Sequence, residues 1–260
     1  MTYLWSVFTK PWSGLPGDEV GKLVAGLGFT GAEIPVRDTT YVTPATAESE
    51  LPTFVEQLRA EGVEPISIAS ALSESAFSAC AKAGVPMIRI MAPIGPDGYA
   101  ASVRRIRQQL EDSAVLVQRY GVQVGVQPHH GRFVTSSLGV LQLLDGLPAD
   151  FKVVWDAAHD ALAGDDPAIT LELVRQRLGI VNLKNAKYVR TEDGWKTWFG
   201  QAEQGLADWS AVFRNLGNYT GPICLTGQYS DSSIPVEQRL TADLAAARLV
   251  TSAPFAPSEQ

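Results

Sequence analysis

Segments typical of a strand and segments typical of a helix alternate about eight times along this chain, and this alternation constrains the fold more than any other feature. Short apolar runs rich in Val and Ile precede longer stretches with helical spacing, and no linker or low-complexity segment interrupts the series. Eight β–α units in roughly 250 residues are typical of one closed (β/α)₈ barrel. We therefore predict an α/β protein with a single TIM barrel over residues 1–250 and a flexible C-terminal tail over residues 251–260.

The predicted strands cover residues 4–8, 31–36, 64–69, 86–91, 122–127, 152–156, 180–184 and 222–226. The predicted helices cover residues 18–27, 47–61, 74–83, 99–120, 136–144, 167–177, a helix from 208, and 235–250. Glycine follows several helices, where we expect the left-handed conformation that ends a helix: Gly28, Gly62, Gly84, Gly121 and Gly179. A doubly wound open sheet is the alternative, but the run FTKPWSGLPGDE after the first strand is not a dinucleotide fingerprint.

Composition argues against several classes of function. The net charge of −7 disfavours a nucleic-acid or anionic-membrane partner. No apolar run approaches the ~20 residues that span a bilayer, and the N-terminus lacks the features of a signal peptide. Cys80 and Cys224 each stand in an apolar run, as reduced core cysteines do. We expect a cytoplasmic protein with a small-molecule partner, and a homo-oligomer is left open.

The chain has three histidines, and all of them follow two neighbouring predicted strands. His129 and His130 come after the strand at 122–127, and His159 comes after the strand at 152–156. The carboxyl ends of parallel strands meet at one face of a barrel, and active sites lie at that face. We therefore predict a reaction centre that includes these histidines.

Reading the ends of all the predicted strands adds the other candidates, which mix carboxylate, imidazole, amide and cation, as a site for a polyhydroxylated ligand would: Thr9, Lys10, Glu33, Arg37, Ser70, Arg89, Gln127, Asp156, Asn182, Lys184 and Gln228. Glu33 and Arg89 have an alternative role as an ion pair inside the barrel, and Lys10 and Arg37 as solvated loop charges. Asp156 and Lys184 end apolar strands, where an unpaired charge costs several kcal/mol, so a functional role is favoured for both.

Several runs together resemble the sugar phosphate isomerase/epimerase group with a xylose-isomerase-like TIM barrel: GFTGAEIPVR, GVQVGVQPHHG, WDAAHDALAGDDP, VNLKNAK and GQAEQGLADW. The resemblance extends over about residues 4–250. It implies a metal-assisted isomerase or epimerase of sugars, with four metal ligands at the ends of strands five to eight. In this chain those four positions are Gln127, Asp156, Asn182 and Gln228.

Three of those four positions depart from the charged or imidazole ligands that the resemblance implies. Neutral amide oxygens bind hard divalent cations weakly, and transition metals favour imidazole. A divalent cation (Mn²⁺, Mg²⁺, Zn²⁺ or Co²⁺) is therefore disfavoured. If one binds, Asp156 would hold it together with Gln127, Asn182, Gln228 or His159.

The same departures alter the expected chemistry, because an amide has no usable conjugate base and can only orient hydroxyls. We predict that proton transfer falls to His129, with Asp156 and His159 beside it, and that Lys184 stabilises an enolate in place of a cation. A branch of the resembled group with the run Gln-Asn-His-Ser-Gly at strand five favours His129 over His130. The remaining predicted substrate contacts are Glu33, Arg37, Arg89, Gln127, His130, Asn182, Trp198 and Gln228.

Residues 185–207 form a connection longer than barrel loops usually are, and it carries Trp195, Trp198 and Phe199. Aromatic faces in such a loop commonly stack on sugar rings, which is the reason for including Trp198. Packing against a subunit partner is the alternative.

Three classes of function follow from these residues. The first is an isomerase or epimerase that acts on a keto- or aldo-sugar, phosphorylated or not, by removing the proton next to a carbonyl. The second is a lyase that uses the same proton abstraction to eliminate a group from a 3-keto-glycoside. The third is a sugar-binding protein without catalysis.

Overall fold

Eight parallel strands close into a barrel in the computed structural model, which describes residues 3–252. The barrel strands are β1 (Leu4–Phe8), β2 (Gly31–Pro35), β3 (Glu64–Ala69), β4 (Met87–Met91), β5 (Gln123–Gln127), β6 (Phe151–Asp156), β7 (Leu178–Leu183) and β10 (Pro222–Leu225), and a separate hairpin consists of β8 (Asn185–Thr191) and β9 (Gly194–Gly200). Around the barrel the order is β1-β10-β7-β6-β5-β4-β3-β2, with β8 and β9 outside it. The predicted (β/α)₈ barrel is confirmed, and an open sheet is excluded.

The helices follow the strands as predicted, with boundaries that mostly agree within three residues: α1 (Gly17–Gly26), α2 (Ala47–Ala60), α3 (Glu74–Ala83), α4 (Tyr99–Tyr120), α5 (Ser137–Leu144), α6 (Ala157–Ala163), α7 (Pro167–Val174), α8 (Trp209–Asn215) and α9 (Val236–Ser252). The short helix α6 was not predicted. Helix α9 includes two residues assigned to the tail, and residues 253–260 lie outside the described residues. No helix within residues 3–252 is both long and apolar enough to cross a membrane.

Two hydrophobic layers build the barrel. The larger cluster lies between strands and helices and includes Leu51, Phe77 and Leu110. A smaller cluster consists of strand residues, as expected for the barrel interior: Phe8, Ile66, Ala69, Met87, Val154, Ile180 and Cys224. Cys80 and Cys224 are both free and buried, as predicted.

Gly179 does not end a helix, which corrects one prediction. The other four glycines have the expected positive φ, but Gly179 lies inside β7. A Cβ at this position would stand 2.7 Å from Met87 Cε and 2.9 Å from the Cβ of Lys152. The close packing of Met87 is therefore the physical reason for glycine here.

The connection at 185–207 is not an irregular loop, because most of it forms the antiparallel hairpin β8–β9. Glu192 and Asp193 join the two strands, and Gly194, the first residue of β9, has φ of 111°. An Asp-Gly pair between alternating residues is a strong hairpin signal, which the sequence prediction overlooked.

Candidate active site

The carboxyl ends of β5, β6 and β7 meet at Asp156, the last residue of β6. Gln127 Nε2 donates a hydrogen bond to Asp156 Oδ2 at 2.7 Å, and Lys184 Nζ lies 3.3 Å from the same oxygen. Asp156 Oδ1 accepts a hydrogen bond from the backbone N–H of His159 at 3.1 Å and so caps α6. Both oxygens of this fully buried carboxylate are therefore occupied by N–H donors.

The charged forms of Asp156 and Lys184 are stabilised although both side chains are buried. Burial alone would raise the pKa of Asp156, but its interactions with His159 and Lys184 outweigh that effect and lower it to about 2. Burial lowers the pKa of Lys184, and the Asp156 carboxylate opposes that effect. The geometry supports an ammonium at Lys184, because Nζ has two acceptors, Asp156 Oδ2 and, at 2.9 Å, His159 Nε2.

His159 links this cluster to the other histidines. The 2.9 Å contact with Lys184 Nζ makes Nε2 the acceptor and places the ring proton on Nδ1. The backbone N–H of His130 lies 3.5 Å from Nδ1, and because both groups then carry a proton this contact is not a hydrogen bond. Burial lowers the pKa of His159 well below its usual value, although Asp156 opposes this. His159 is thus a neutral, buried acceptor that holds Lys184 in place.

The loop that carries His129 is anchored to the loop after β4. Val134 N donates to Ala92 O at 2.9 Å, and Ile94 N donates to Arg132 O at 2.8 Å. The backbone N–H of His129 donates to Val134 O at 3.1 Å. These bonds position His129 without help from a ligand.

His129 has the properties of a proton acceptor. Its Nδ1 lies 2.8 Å from the carbonyl oxygen of His130, and a carbonyl can only accept, so Nδ1 carries the proton and Nε2 keeps a free lone pair. Burial, and to a smaller extent Lys184, lower the pKa of His129 to about 4, although the bond to His130 opposes the shift. The imidazole is therefore neutral near pH 7.

Glu33 and Arg89 form a bidentate ion pair inside the barrel. Arg89 Nε and Nη2 donate to the two carboxylate oxygens of Glu33 at 2.9 and 2.7 Å. Ser67 Oγ donates to Glu33 Oε1 at 2.9 Å, and the ring of Phe8 lies 4.9 Å from the Arg89 guanidinium carbon. Both carboxylate oxygens of Glu33 therefore accept hydrogen bonds from inside the barrel.

A cavity of about 420 Å³ opens at this end of the barrel. Eight of the candidates named from the sequence line it: Lys10, Arg37, Arg89, Gln127, His129, Asn182, Lys184 and Gln228. Asn182 Oδ1 and Thr226 Oγ1 are buried and have no hydrogen-bond partner within residues 3–252. Such atoms are suited to the hydroxyl groups of a ligand.

Four other predicted residues do not line the cavity but contact residues that do. Glu33 holds Arg89, and Asp156 and His159 hold Lys184. His130 stacks on His129 with ring centroids 4.7 Å apart, and its Nδ1 is buried without a partner within the described residues. The structure therefore places these four behind the surface that a ligand would touch.

Trp198 does not reach the cavity. Alternate residues of a strand point to opposite faces, and in β9 it is Phe199 that faces the barrel. The Phe199 ring lies 5.5 Å from the His130 ring and 5.4 Å from Lys184 Nζ. Trp198 instead lies under Lys187, whose Nζ is 4.8 Å from the ring centroid.

Sequence reasoning left out several residues of the cavity wall, namely Phe8, Pro11, Met91, Thr226, Gly227, Tyr229 and Val236. Phe8 and Met91 are the last residues of β1 and β4, so their positions could have indicated them. Tyr229 donates to Asp243 Oδ2 at 2.8 Å, a contact across 14 residues that no local pattern indicates.

The four positions implied as metal ligands do not fit a divalent cation. Asp156 is the one carboxylate among them, and its oxygens already accept from Gln127, Lys184 and the backbone of His159. A cation at Oδ2 would be repelled by the ammonium of Lys184. The donor set and the position of this ammonium both disfavour the metal that the resemblance implies.

The three histidines are a second candidate metal site, since one ring nitrogen from each lies within 4.8 Å of the others. His159 Nε2 already contacts Lys184 Nζ at 2.9 Å, and Nδ1 of His129 lies 2.8 Å from the carbonyl oxygen of His130. Each of these two rings therefore has one nitrogen engaged within the protein, and a zinc ion would have to displace the ring proton from Nδ1 of His159.

Fold and strand-end site together define a (β/α)₈ barrel protein with its cavity at the carboxyl face. The sequence matches the family described as xylose isomerase-like TIM barrel over residues 22–249, and the chain belongs to that family. Among curated proteins no match is found.

Solved structures share the fold at low identity. The probable 3-DHS dehydratase AsbF from Bacillus anthracis is 16% identical with a TM-score of 0.72, covering 95% of this chain and 99% of that one. A D-psicose 3-epimerase is 14% identical with a TM-score of 0.74, covering 96% and 99%. The 3-keto-D-glucoside 4-epimerase YcjR from E. coli is 16% identical with a TM-score of 0.72, covering 95% and 100%. These similar structures are thus epimerases and a dehydratase.

Proposed function

We propose that this protein is a sugar isomerase or epimerase that removes the proton next to a carbonyl without a resident metal. The observation that carries the proposal is that a neutral imidazole, His129, and a buried ammonium, Lys184, line the same cavity. One can accept a proton from carbon, and the other can stabilise the negative charge that then develops on the carbonyl oxygen.

The reaction follows from these two groups. His129 Nε2 takes the proton from the carbon next to the carbonyl, the C–H electrons form a carbon–carbon double bond, and the carbonyl electrons move to oxygen. The Lys184 ammonium stabilises this enolate. If His129 returns the proton to the former carbonyl carbon, the hydroxyl of the deprotonated carbon passes its proton to the enolate oxygen as the new C=O forms, and the product is an isomer. If Lys184 instead gives a proton to the opposite face of the deprotonated carbon, the original carbonyl re-forms and the product is an epimer, and the proton on His129 returns to Lys184 through solvent.

The surroundings support a sugar rather than an apolar substrate. Asn182 and Thr226 offer buried oxygens that have no hydrogen-bond partner in the described part of the chain, and Gln127 and Gln228 add amides to the wall. The cavity of about 420 Å³ is within the range of small-ligand sites. The similar structures include a D-psicose 3-epimerase and a 3-keto-D-glucoside 4-epimerase, which agrees with this substrate class.

The test uses purified protein in D₂O with a panel of free aldoses, ketoses and 3-keto-glycosides. NMR would follow deuterium at each carbon. Deuterium next to the carbonyl without elimination supports the proposal, whereas an elimination product would assign a lyase. No exchange with any member would contradict the proposal and favour a binding protein.

A further inference from the structure

The sign of the charge inside the cavity is opposite to that of the protein. Four charged side chains line it within residues 3–252, and all are cations: Lys10, Arg37, Arg89 and Lys184. No described carboxylate lines it, while the whole chain carries −7. Asp38, which follows Arg37, lines a neighbouring cavity of about 450 Å³ instead.

Two of these cations are neutralised from behind the wall. Arg89 Nη2 lies 2.7 Å from Glu33, and Lys184 Nζ lies 3.3 Å from Asp156, with every partner nearly or fully buried. Both pairs belong to the internal structure of the barrel, so neither cation is left without a counter-charge.

Lys10 and Arg37 are different. Neither side chain forms an ion pair or a hydrogen bond within residues 3–252, and the bonds of Arg37 to Thr40 use only its backbone. Burial and the nearby Arg89 charge lower the pKa of Arg37, and Lys10 in turn contributes to lowering that of Lys184. Both residues are exposed, so each carries an unpaired charge at the solvent side of the cavity, and a bound anion would relieve its repulsion with the neighbouring cation.

Their position in the barrel is also informative. Lys10 follows β1 and Arg37 follows β2, whereas His129 and Lys184 follow β5 and β7. In the strand order β1 lies across the barrel from β5, so the unpaired cations and the proposed base are on opposite sides of the mouth. A ligand could place its carbonyl at one side and a charged group at the other.

Resting on the proposed function, we infer that the substrate is a sugar that carries an oxyanion, either a carboxylate or a phosphate ester, which Lys10 and Arg37 bind while its carbonyl lies between His129 and Lys184. Carboxylate and phosphate share the chemistry that these cations recognise. The charged group would fix which carbon lies next to His129.

Matched probes separate the two sources of charge. Calorimetry at low salt would measure Kd for D-fructose, D-fructuronate and D-fructose 6-phosphate, and for the corresponding tagatose series. At least one charged member is expected to bind about tenfold or more tighter than its neutral counterpart, the scale of one or two partly exposed ion pairs. Whichever charged probe binds more tightly identifies the preferred group as a carboxylate or a phosphate ester. Added salt should weaken the binding of the charged probe more than that of the neutral sugar.

Variants assign the effect to the two residues. In the double variant Lys10→Met/Arg37→Met, the Kd of the neutral sugar divided by the Kd of its charged counterpart should fall toward one. Arg104→Met removes an exposed cation that does not line the cavity and should keep the wild-type ratio. The inference is overturned if neutral sugars bind as tightly as charged ones, if no charged probe binds, or if the double variant keeps the ratio.

The same samples in D₂O separate this inference from the proposed function. Exchange next to the carbonyl with no preference for charged sugars would leave the function standing and remove the anionic substrate. Charge-selective binding without exchange would contradict the proposed function and leave the anionic ligand standing.

Discussion

Lys184 Nζ lies 3.3 Å from Asp156 Oδ2, at the end of two neighbouring barrel strands. The ammonium stands against the one carboxylate among the four positions where the family resemblance implies metal ligands. A fixed positive charge is thus provided by the chain itself. This ammonium can stabilise an enolate, and its position against the carboxylate disfavours a divalent cation there.

Chelation is expected to have little effect. Three of the four implied ligands are neutral amides, so prolonged dialysis against EDTA should leave the thermal unfolding temperature and the deuterium exchange rate largely unchanged. Elemental analysis of the untreated protein is the control. About one equivalent of tightly held Mn, Zn or Co would contradict the expectation.

His129 should be required for exchange but not for folding. His129→Ala is expected to lower turnover by roughly 10²-fold or more, the usual range for loss of a general base. His129→Asn is the matched variant, because its amide can still donate to the carbonyl of His130 but cannot accept a proton from carbon. Near-wild-type turnover in either variant would transfer the role to another histidine.

The acid limb of the pH–rate profile should lie near the lowered pKa of His129, about 4. As pH falls through that value the imidazole gains a proton and loses the lone pair it needs, so kcat/KM should fall. Above it the base is fully neutral, and this group adds no pH dependence between pH 5 and 8. Initial rates measured during a short exposure to each pH would check this. An acid limb near pH 6.5 would contradict the effect of burial on His129.

The Glu33–Arg89 pair should matter for stability. Glu33→Ala leaves the buried Arg89 guanidinium without a counter-charge and is expected to cost about 3–5 kcal/mol of unfolding free energy. Glu74→Ala, which removes the exposed pair with Arg119, should cost less than about 1 kcal/mol. Urea denaturation would compare the two, and equal costs would show that the barrel pair is not the stabilising element.

Much of the fold could be predicted because each unit has local signals. Gly28, Gly62, Gly84 and Gly121 end helices as their positions indicate. The helix α6 was overlooked because it is short and begins directly at a strand end, with Asp156 as its N-cap. Gly179 was misread because glycine also serves close packing inside a strand, which depends on Met87, distant in sequence.

The site could be predicted only as a set of strand ends. Sequence position indicates that Asp156 and Lys184 lie at the same barrel face, but not that Asp156 lies behind Lys184. A residue near a strand end can line the cavity or lie behind the residues that line it. Which of the two positions it takes depends on side-chain partners across the barrel. The same limit explains why Trp198 was favoured over Phe199. Neighbouring residues of a strand point to opposite faces, so the register of the hairpin, not the residue type, decides which aromatic side chain faces the barrel.

The kinetics of Lys184→Met with an exchanging substrate test whether the buried ammonium stabilises the enolate. A preorganised ammonium stabilises the transition state more than the bound substrate. We predict that kcat falls by at least about 10²-fold, the scale of losing one oxyanion donor, with a much smaller change in KM. Lys184→Arg should not restore kcat, because the planar guanidinium is larger and spreads its charge. Lys187→Met, which removes a lysine that does not line the cavity, should match the wild type. If Lys184→Met raises KM alone, the lysine is a binding contact and the enolate is stabilised by another group, which would contradict the account.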